Sequence, residues 1–306
     1  MTWAQRRWVI AYRTKMAVNA LAGRLAAILL RVLRRFDYAT VSNVAGVVMR
    51  RVGPWLPEHR VGRANLAVAF PEKSSAEIET ILRGVWDNLG RVAAEIAHLD
   101  RICSGGPYPR DHIDYLPEQV ERFMRLKNDS KPALVFSAHL ANWELPAVIA
   151  AAEGIDSVVL YRRPNLSAVA DAVIALRGPL MGELVASSLG APVALAHALE
   201  RGRAVGMLVD QHYAKGVEVI FFGRRCLTNP LIAMLAREID CRIYGTRVIR
   251  LPNNRFAAEV SNEVVPVRGA DGRVDVAGTM QAITSVVEGW VREHPEQWLW
   301  VHRRWR

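Results

Sequence analysis

The sequence predicts an α/β fold, a mainly parallel central sheet flanked by helices, preceded by a helical region of different character. Three observations predict it. Apolar runs at 133–136, 157–161 and 204–209 have the length and the Val, Phe and Tyr content of buried strands. Segments with helical apolar spacing lie between them, and strands alternating with helices build parallel sheets. Each run gives way within a few residues to a polar side chain, His139, Arg162 or Asp210. In open α/β sheets ligands bind beyond the carboxyl ends of the strands, so one rim is expected to hold a base, a cation and an acid.

Taken in order, residues 3–35 carry Trp3, Trp8, Ile10 and Tyr12 and then an apolar run broken by Arg24 and closed by Arg31, Arg34 and Arg35. A membrane crossing needs about 20 uninterrupted apolar residues, and this run falls short. A basic helix with tryptophans at one end reads as an interfacial anchor or a short tilted span on an anionic cytoplasmic leaflet. No small-residue cleavage pattern marks it as a removable signal. Residues 38–49 form a second apolar stretch, ended by Gly53 and Pro54. Residues 1–63 are therefore read as membrane-anchoring helices and 64–306 as the catalytic domain. Ser74 and Glu77 form a capping box opening a helix to about residue 99, with Ile78, Ile81, Leu82, Val85, Leu89, Val92 and Ile96 on one face. Gly105, Gly106 and Pro107 mark a loop, and 117–127 a short helix. Further helices are expected at 165–176, 191–201, 231–237 and 274–293. Residues 242–250 and 256–260 read as a hairpin across Pro252-Asn253-Asn254.

The charge is informative once placed. The formal net charge is +10. Up to Arg63 the chain has Arg or Lys at 6, 7, 13, 15, 24, 31, 34, 35, 50, 51, 60 and 63, and acids only at Asp37 and Glu58, so the whole excess sits in the N-terminal fifth. Half-hydrophobic composition with ordinary charge content excludes disorder. Cys103, Cys226 and Cys241 are scattered, which supports neither a disulfide framework nor a zinc site; no metal site is expected.

The stretch from Ala133 to Pro146 is the first place to look for chemistry. The strand at 133–136 stops at small residues and meets His139. Pro146 is tolerated only in a first helical turn, which places the helix start near Asn142 or Trp143 and His139 on the turn before it. A histidine there can fold back on Glu144, take a proton from an alcohol and have its tautomer held by the carboxylate. The same pair also reads as a structural histidine and a helix N-terminal charge.

His139-Leu140-Ala141-Asn142-Trp143-Glu144 resembles the His-x4-acid motif of the glycerolipid (lysophospholipid) acyltransferase superfamily, and is most similar to the late, lauroyl/myristoyl-type acyltransferases of lipid A biosynthesis. Further pieces in matching order are Asn65 to Glu72, Trp86 to Gly90 with Glu95, Tyr161-Arg162 with Pro164, Asp210-Gln211, Phe221 to Gly223, Thr228 with Pro230, and Pro295 to Trp298 with His302 to Arg304. Arg163 departs from the pattern. The resemblance implies transfer of a fatty acyl chain from acyl carrier protein to a hydroxyl on an acyl chain of a Kdo-lipid A precursor, at the cytoplasmic face of a bacterial inner membrane, without a cofactor. It implies His139 as base with Glu144. Arg162 reads as an oxyanion or phosphate ligand or as a surface cation, and Asp210 as a substrate contact or a loop anchor. Asn142 and Arg177 are taken as substrate-binding. No serine or cysteine stands beside His139, so direct attack on the thioester is expected rather than an acyl-enzyme.

Two other readings compete. One is an acyltransferase for another membrane glycolipid, of the phosphoinositide mannoside type. The other is a non-enzymatic basic protein that binds membranes or nucleic acid. The basic excess coincides with apolar residues and no nucleic-acid motif is present, so nucleic acid is not an expected partner.

Overall fold

A computed structural model describes residues 3–103, 112–162 and 167–305. The chain opens with helices α1 (Trp3–Leu33), α2 (Tyr38–Val52), α3 (Pro57–Ala69), α4 (Ser75–Glu95) and the short α5 (Leu99–Ile102). There follow β1 (Ile113–Asp114), α6 (Pro117–Asn128), β2 (Ala133–Ser137), α7 (Leu145–Ala152), β3 (Ser157–Tyr161), α8 (Ser167–Arg177), β4 (Glu183–Ala186), α9 (Ala191–Glu200) and β5 (Ala204–Leu208). The rest is β6 (His212–Phe221), β7 (Arg224–Thr228), α10 (Leu231–Glu238), β8 (Arg242–Leu251), β9 (Arg255–Val260) and α11 (Val276–Glu293). The expected loop at 105–107 and positions 163–164 lie outside the described residues.

Seven strands form one sheet in the order β1-β9-β8-β2-β5-β3-β4. All neighbours run parallel except β8 and β9, which are antiparallel. The mainly parallel α/β architecture is therefore present, and the antiparallel pair is the hairpin read at 242–260. β6 and β7 form a separate antiparallel ribbon. β2 lies at the centre and is apolar because it is covered on both faces. Leu134 and Phe136 are fully buried on one side, where Phe136 stacks on Trp290 of α11 at 5.6 Å. Gly245 lets that helix approach, since a Cβ there would lie 2.6 Å from Phe136 and 2.7 Å from Trp290. Val135 and Ser137 point to the opposite face, into a cavity.

The capping box at Ser74 and Glu77 is formed as read. α2 packs on α4 through buried Ser42, whose hydroxyl donates to Glu95 at 2.6 Å, and through the Arg50–Asp87 pair at 3.0 Å. α1 leaves Val18, Leu21, Leu25, Leu29 and Val32 exposed at helical spacing, and α2 leaves Val44, Val48 and Val52 exposed, with Leu29, Val44 and Val48 lining one groove. Among the described residues no helix is long and apolar enough to cross a membrane.

Candidate active site

The site forms where β2 and β5 end side by side. Ser137 is in register with Leu208, and Val209 N–H donates to the Ser137 carbonyl at 3.1 Å. Two residues further along each strand bring His139 beside Asp210. Asp210 accepts from His139 Nδ1 and from the His139 backbone N–H, both at 2.8 Å, and from the Trp298 indole at 2.7 Å. An ionised carboxylate only accepts, so Nδ1 carries a proton, and in the neutral ring Nε2 is the nitrogen with the lone pair. Nε2 faces the side-chain amide of Gln211 at 3.2 Å. Burial alone would raise the Asp210 carboxyl, but the charge and hydrogen bonds of His139 hold it below the usual carboxylate range.

The turn carrying His139 is fixed from several directions. Leu299 N–H donates to the His139 carbonyl at 3.1 Å and Ala141 N–H to the Gln297 carbonyl at 2.9 Å. Ala141 adopts φ of 46°, a left-handed conformation that for alanine costs about 1–3 kcal/mol and persists where the surroundings over-determine it. Those surroundings include Asn88, whose amide donates to the carbonyls of Ala141 and Gln297 at 3.1 Å. Behind the turn lies the fully buried Glu95. Arg250 bonds it at 2.6 and 3.0 Å, and this charge overcomes the upward push of burial.

Three of the expected placements are corrected. Glu144 was expected to hold the imidazole; the carboxylate at Nδ1 is Asp210, and Glu144 is ion-paired with Arg177. The helix starts at Leu145 rather than Asn142 or Trp143, because Asn142 Oδ1 accepts from Glu144 N–H at 3.1 Å and extends the turn. Glu144 therefore stands at the N-cap position of α7, its carboxylate turned to Arg177 and not to the imidazole or the helix N–H groups. Asn142, expected to touch substrate, is wholly buried, with its amide on Glu95 at 2.9 Å; it supports the turn from behind.

His139, Glu144, Arg162 and Arg177 nevertheless share one cavity of about 1240 Å³. Its mouth holds these polar groups with Trp143, Lys215 and Arg303. Its depth runs across the sheet face past Val135, Gly206 and Val159 to Phe123, Leu126 and Ile155. Arg162 is exposed at the mouth. Arg177 is largely buried, and that burial pushes its guanidinium down to about 10. Trp298, Gln211 and Arg250 had no assigned role in the sequence reading, although the first two lie in motifs it singled out.

Residues 13–306 match the family model described as bacterial lipid A biosynthesis acyltransferase. The chain belongs to that family. Comparison with individual curated proteins gives no match. The match makes the chain an acyltransferase of lipid A biosynthesis. For this acyltransferase the geometry offers an imidazole nitrogen at the mouth of a slot lined largely by apolar side chains, with a buried anion behind the imidazole and two arginines lining the same cavity. Among the described residues there is no group of three His, Cys, Asp or Glu side chains placed to hold a metal ion.

Proposed function

We propose that the protein transfers a fatty acyl chain from acyl carrier protein to a hydroxyl of an acyl chain on a Kdo-lipid A precursor. One observation carries the reading: the His139–Asp210 pair opens on the large cavity, so a base and a slot for an acyl chain meet at one point. His139 Nε2 takes the proton of the acceptor hydroxyl as its oxygen attacks the thioester carbonyl. Asp210 stabilises the imidazolium that forms. The tetrahedral intermediate collapses, the C–S bond breaks, and the proton passes from His139 to the leaving thiolate. Arg162 and Arg177 line the same cavity and are the cations that would stabilise a developing oxyanion or an acceptor phosphate.

On this reading the reaction takes place at the cytoplasmic face of the inner membrane, with α1 and α2 lying in the lipid interface. Their exposed apolar stripes support this, as do Arg24, Arg31, Arg35 and Arg51, all exposed. The test is incubation of the purified protein in detergent or vesicles with acyl carrier protein loaded with several fatty acids and a tetra-acylated acceptor, read by mass spectrometry. A product heavier by one acyl chain supports the reading. Transfer to a mannosylated phosphoinositide but not to the lipid A precursor would assign the acceptor to that other glycolipid class.

A further inference from the structure

A second concavity lies away from the active site, where α1, α2 and α4 meet. Its volume is about 540 Å³, within the range of about 300–1,000 Å³ that ligand pockets span. Leu29 and Leu33 of α1, Val44 and Val48 of α2, and Leu89 and Ala93 of α4 line it, and it shares no lining residue with the cavity at His139. Thr40 is the one polar side chain of the lining, and its hydroxyl is engaged by Asp37 at 3.3 Å. Leu29, Val44 and Val48 are about half exposed, so the groove is open from outside.

Its walls are braced, so the helices do not collapse together and close it. A Cβ at Gly90 would lie 2.4 Å from the Ala45 carbonyl oxygen, so α2 and α4 touch there and come no closer. Arg50 bonds Asp87 at 3.0 Å and Arg91 bonds Asn43 at 2.6 Å, both across the same two helices. Arg34, just past the end of α1, bonds Asp100 at 2.7 and 3.0 Å and the Ala97 carbonyl at 2.7 Å, which fixes the α1 wall. A preformed apolar groove left in water is unfavourable in proportion to its area, and contiguous exposed apolar surface marks an interaction site.

The charge around the groove selects its occupant. Arg51 follows Val48 by three residues, on the same face of α2, and is exposed with no ion pair among the described residues. Trp55 stands just beyond it, 82% exposed, and tryptophan is enriched at the level of lipid headgroups. The other end of the groove has Asp37, so an anion belongs at the Arg51 end. A second copy of the chain would set one strongly basic face against another, which like-charge repulsion opposes. We propose that the groove binds one acyl chain of an anionic phospholipid, with the lipid phosphate on Arg51, as a lipid site distinct from the catalytic cavity. The proposal rests on α1 and α2 lying in the lipid interface and is independent of which acceptor is acylated.

The experiment mixes the full chain with vesicles of phosphatidylglycerol or of phosphatidylcholine, each containing a small fraction of the same lipid with a photoactivatable diazirine in one acyl chain. Binding is read by co-sedimentation and cross-linked peptides by mass spectrometry. Phosphatidylglycerol is expected to label peptides containing Val48 and Ala93, and phosphatidylcholine to label them less. Ala93 is exposed, so Ala93→Trp fills the groove from outside the core; it should still sediment and lose this labelling. Val48→Gln, at another exposed position, should likewise lose labelling at Ala93. Arg51→Gln should erase the difference between the two lipids. Labelling confined to the exposed stripe of α1, or undiminished in a sedimenting Ala93→Trp, overturns the proposal, as does equal labelling by both lipids in the unaltered protein. A solution dimer that Ala93→Trp abolishes, with no lipid label in the groove, would assign it to a second copy instead. Failure to sediment at all defeats the interfacial placement, and the groove site with it, while leaving the acyl-transfer reading to its own test by product mass.

Discussion

Asp210 has both carboxylate oxygens engaged on the side facing His139, one by Nδ1 and the other by the backbone N–H and the Trp298 indole. Three donors converge on one buried anion, which fixes the imidazole in position and in tautomer together. Glu144 has a different task. Its partner Arg177 closes α8, so the pair ties that helix to the start of α7 at the cavity mouth. Glu144→Gln is therefore expected to act through Arg177, lowering Tm and reducing transfer about 10–100-fold, the scale of a misplaced positioning group. Rate and thermal unfolding measured on the same variant check this; lost rate with an unchanged Tm would contradict it. Both His139 and Asp210 were legible as polar residues past strand ends. Their pairing was not, because it depends on the register of Ser137 opposite Leu208, which no local pattern encodes. Asn142 was misread because its motif position says nothing about which side of the turn its amide faces.

The elements around the cavity explain how a sheet face becomes a slot for an apolar chain. Val135, Gly206 and Val159 lie in one cross-strand row, and Gly206 provides the low point. A Cβ at Gly206 would meet only Val159, at 3.9 Å, so a larger side chain there enters the cavity without displacing the backbone. Gly206→Leu is expected to fold and to shift the transferred chains toward shorter lengths, each excluded methylene being worth about 1–3 kcal/mol. Competition among acyl donors of mixed length, read by product mass, checks this. An unchanged distribution would show that the chain lies elsewhere. β2, β3, β5 and the β8–β9 hairpin were visible in the sequence through their apolar runs. β4 was not, since four residues beginning at Glu183 carry little pattern, and the β6–β7 ribbon was obscured by its charged side chains.

Across the whole molecule, buried titratable groups tie the site to stability. The His302 imidazole lies at about 4 in the fold against 6.5 ordinarily. As pH falls from about 6.5 toward about 4, the unfolded chain takes up a proton that the folded chain refuses, so stability falls with acid by at most about 3 kcal/mol from this residue. Asp210 is held low, so its contribution is complete above the ordinary carboxylate value and is lost as pH falls through and below that range. Both act in the same direction. Thermal unfolding between pH 7 and 4.5 should show Tm declining from near pH 6.5, and His302→Phe should flatten that upper part of the decline. A Tm independent of pH over that interval would contradict the buried neutral imidazole. The basic, apolar N-terminal fifth was legible from composition alone. How it joins the catalytic part was not, because the junction is a buried network in which Ser42 of α2, Asn142 of the turn and Arg250 of β8 all meet Glu95.

The most direct test of the His139–Asp210 pair is the single-turnover rate of acyl transfer in Asp210→Asn. Replacing the anion removes the support for the imidazolium and disturbs the tautomer, and a loss of about 10³–10⁴-fold is expected with the fold retained, as when the acid of a hydrolytic triad is neutralised. A rate within tenfold of the unaltered protein, or a smaller loss than that caused by Glu144→Gln, would contradict the assignment of Asp210 as the partner of the base.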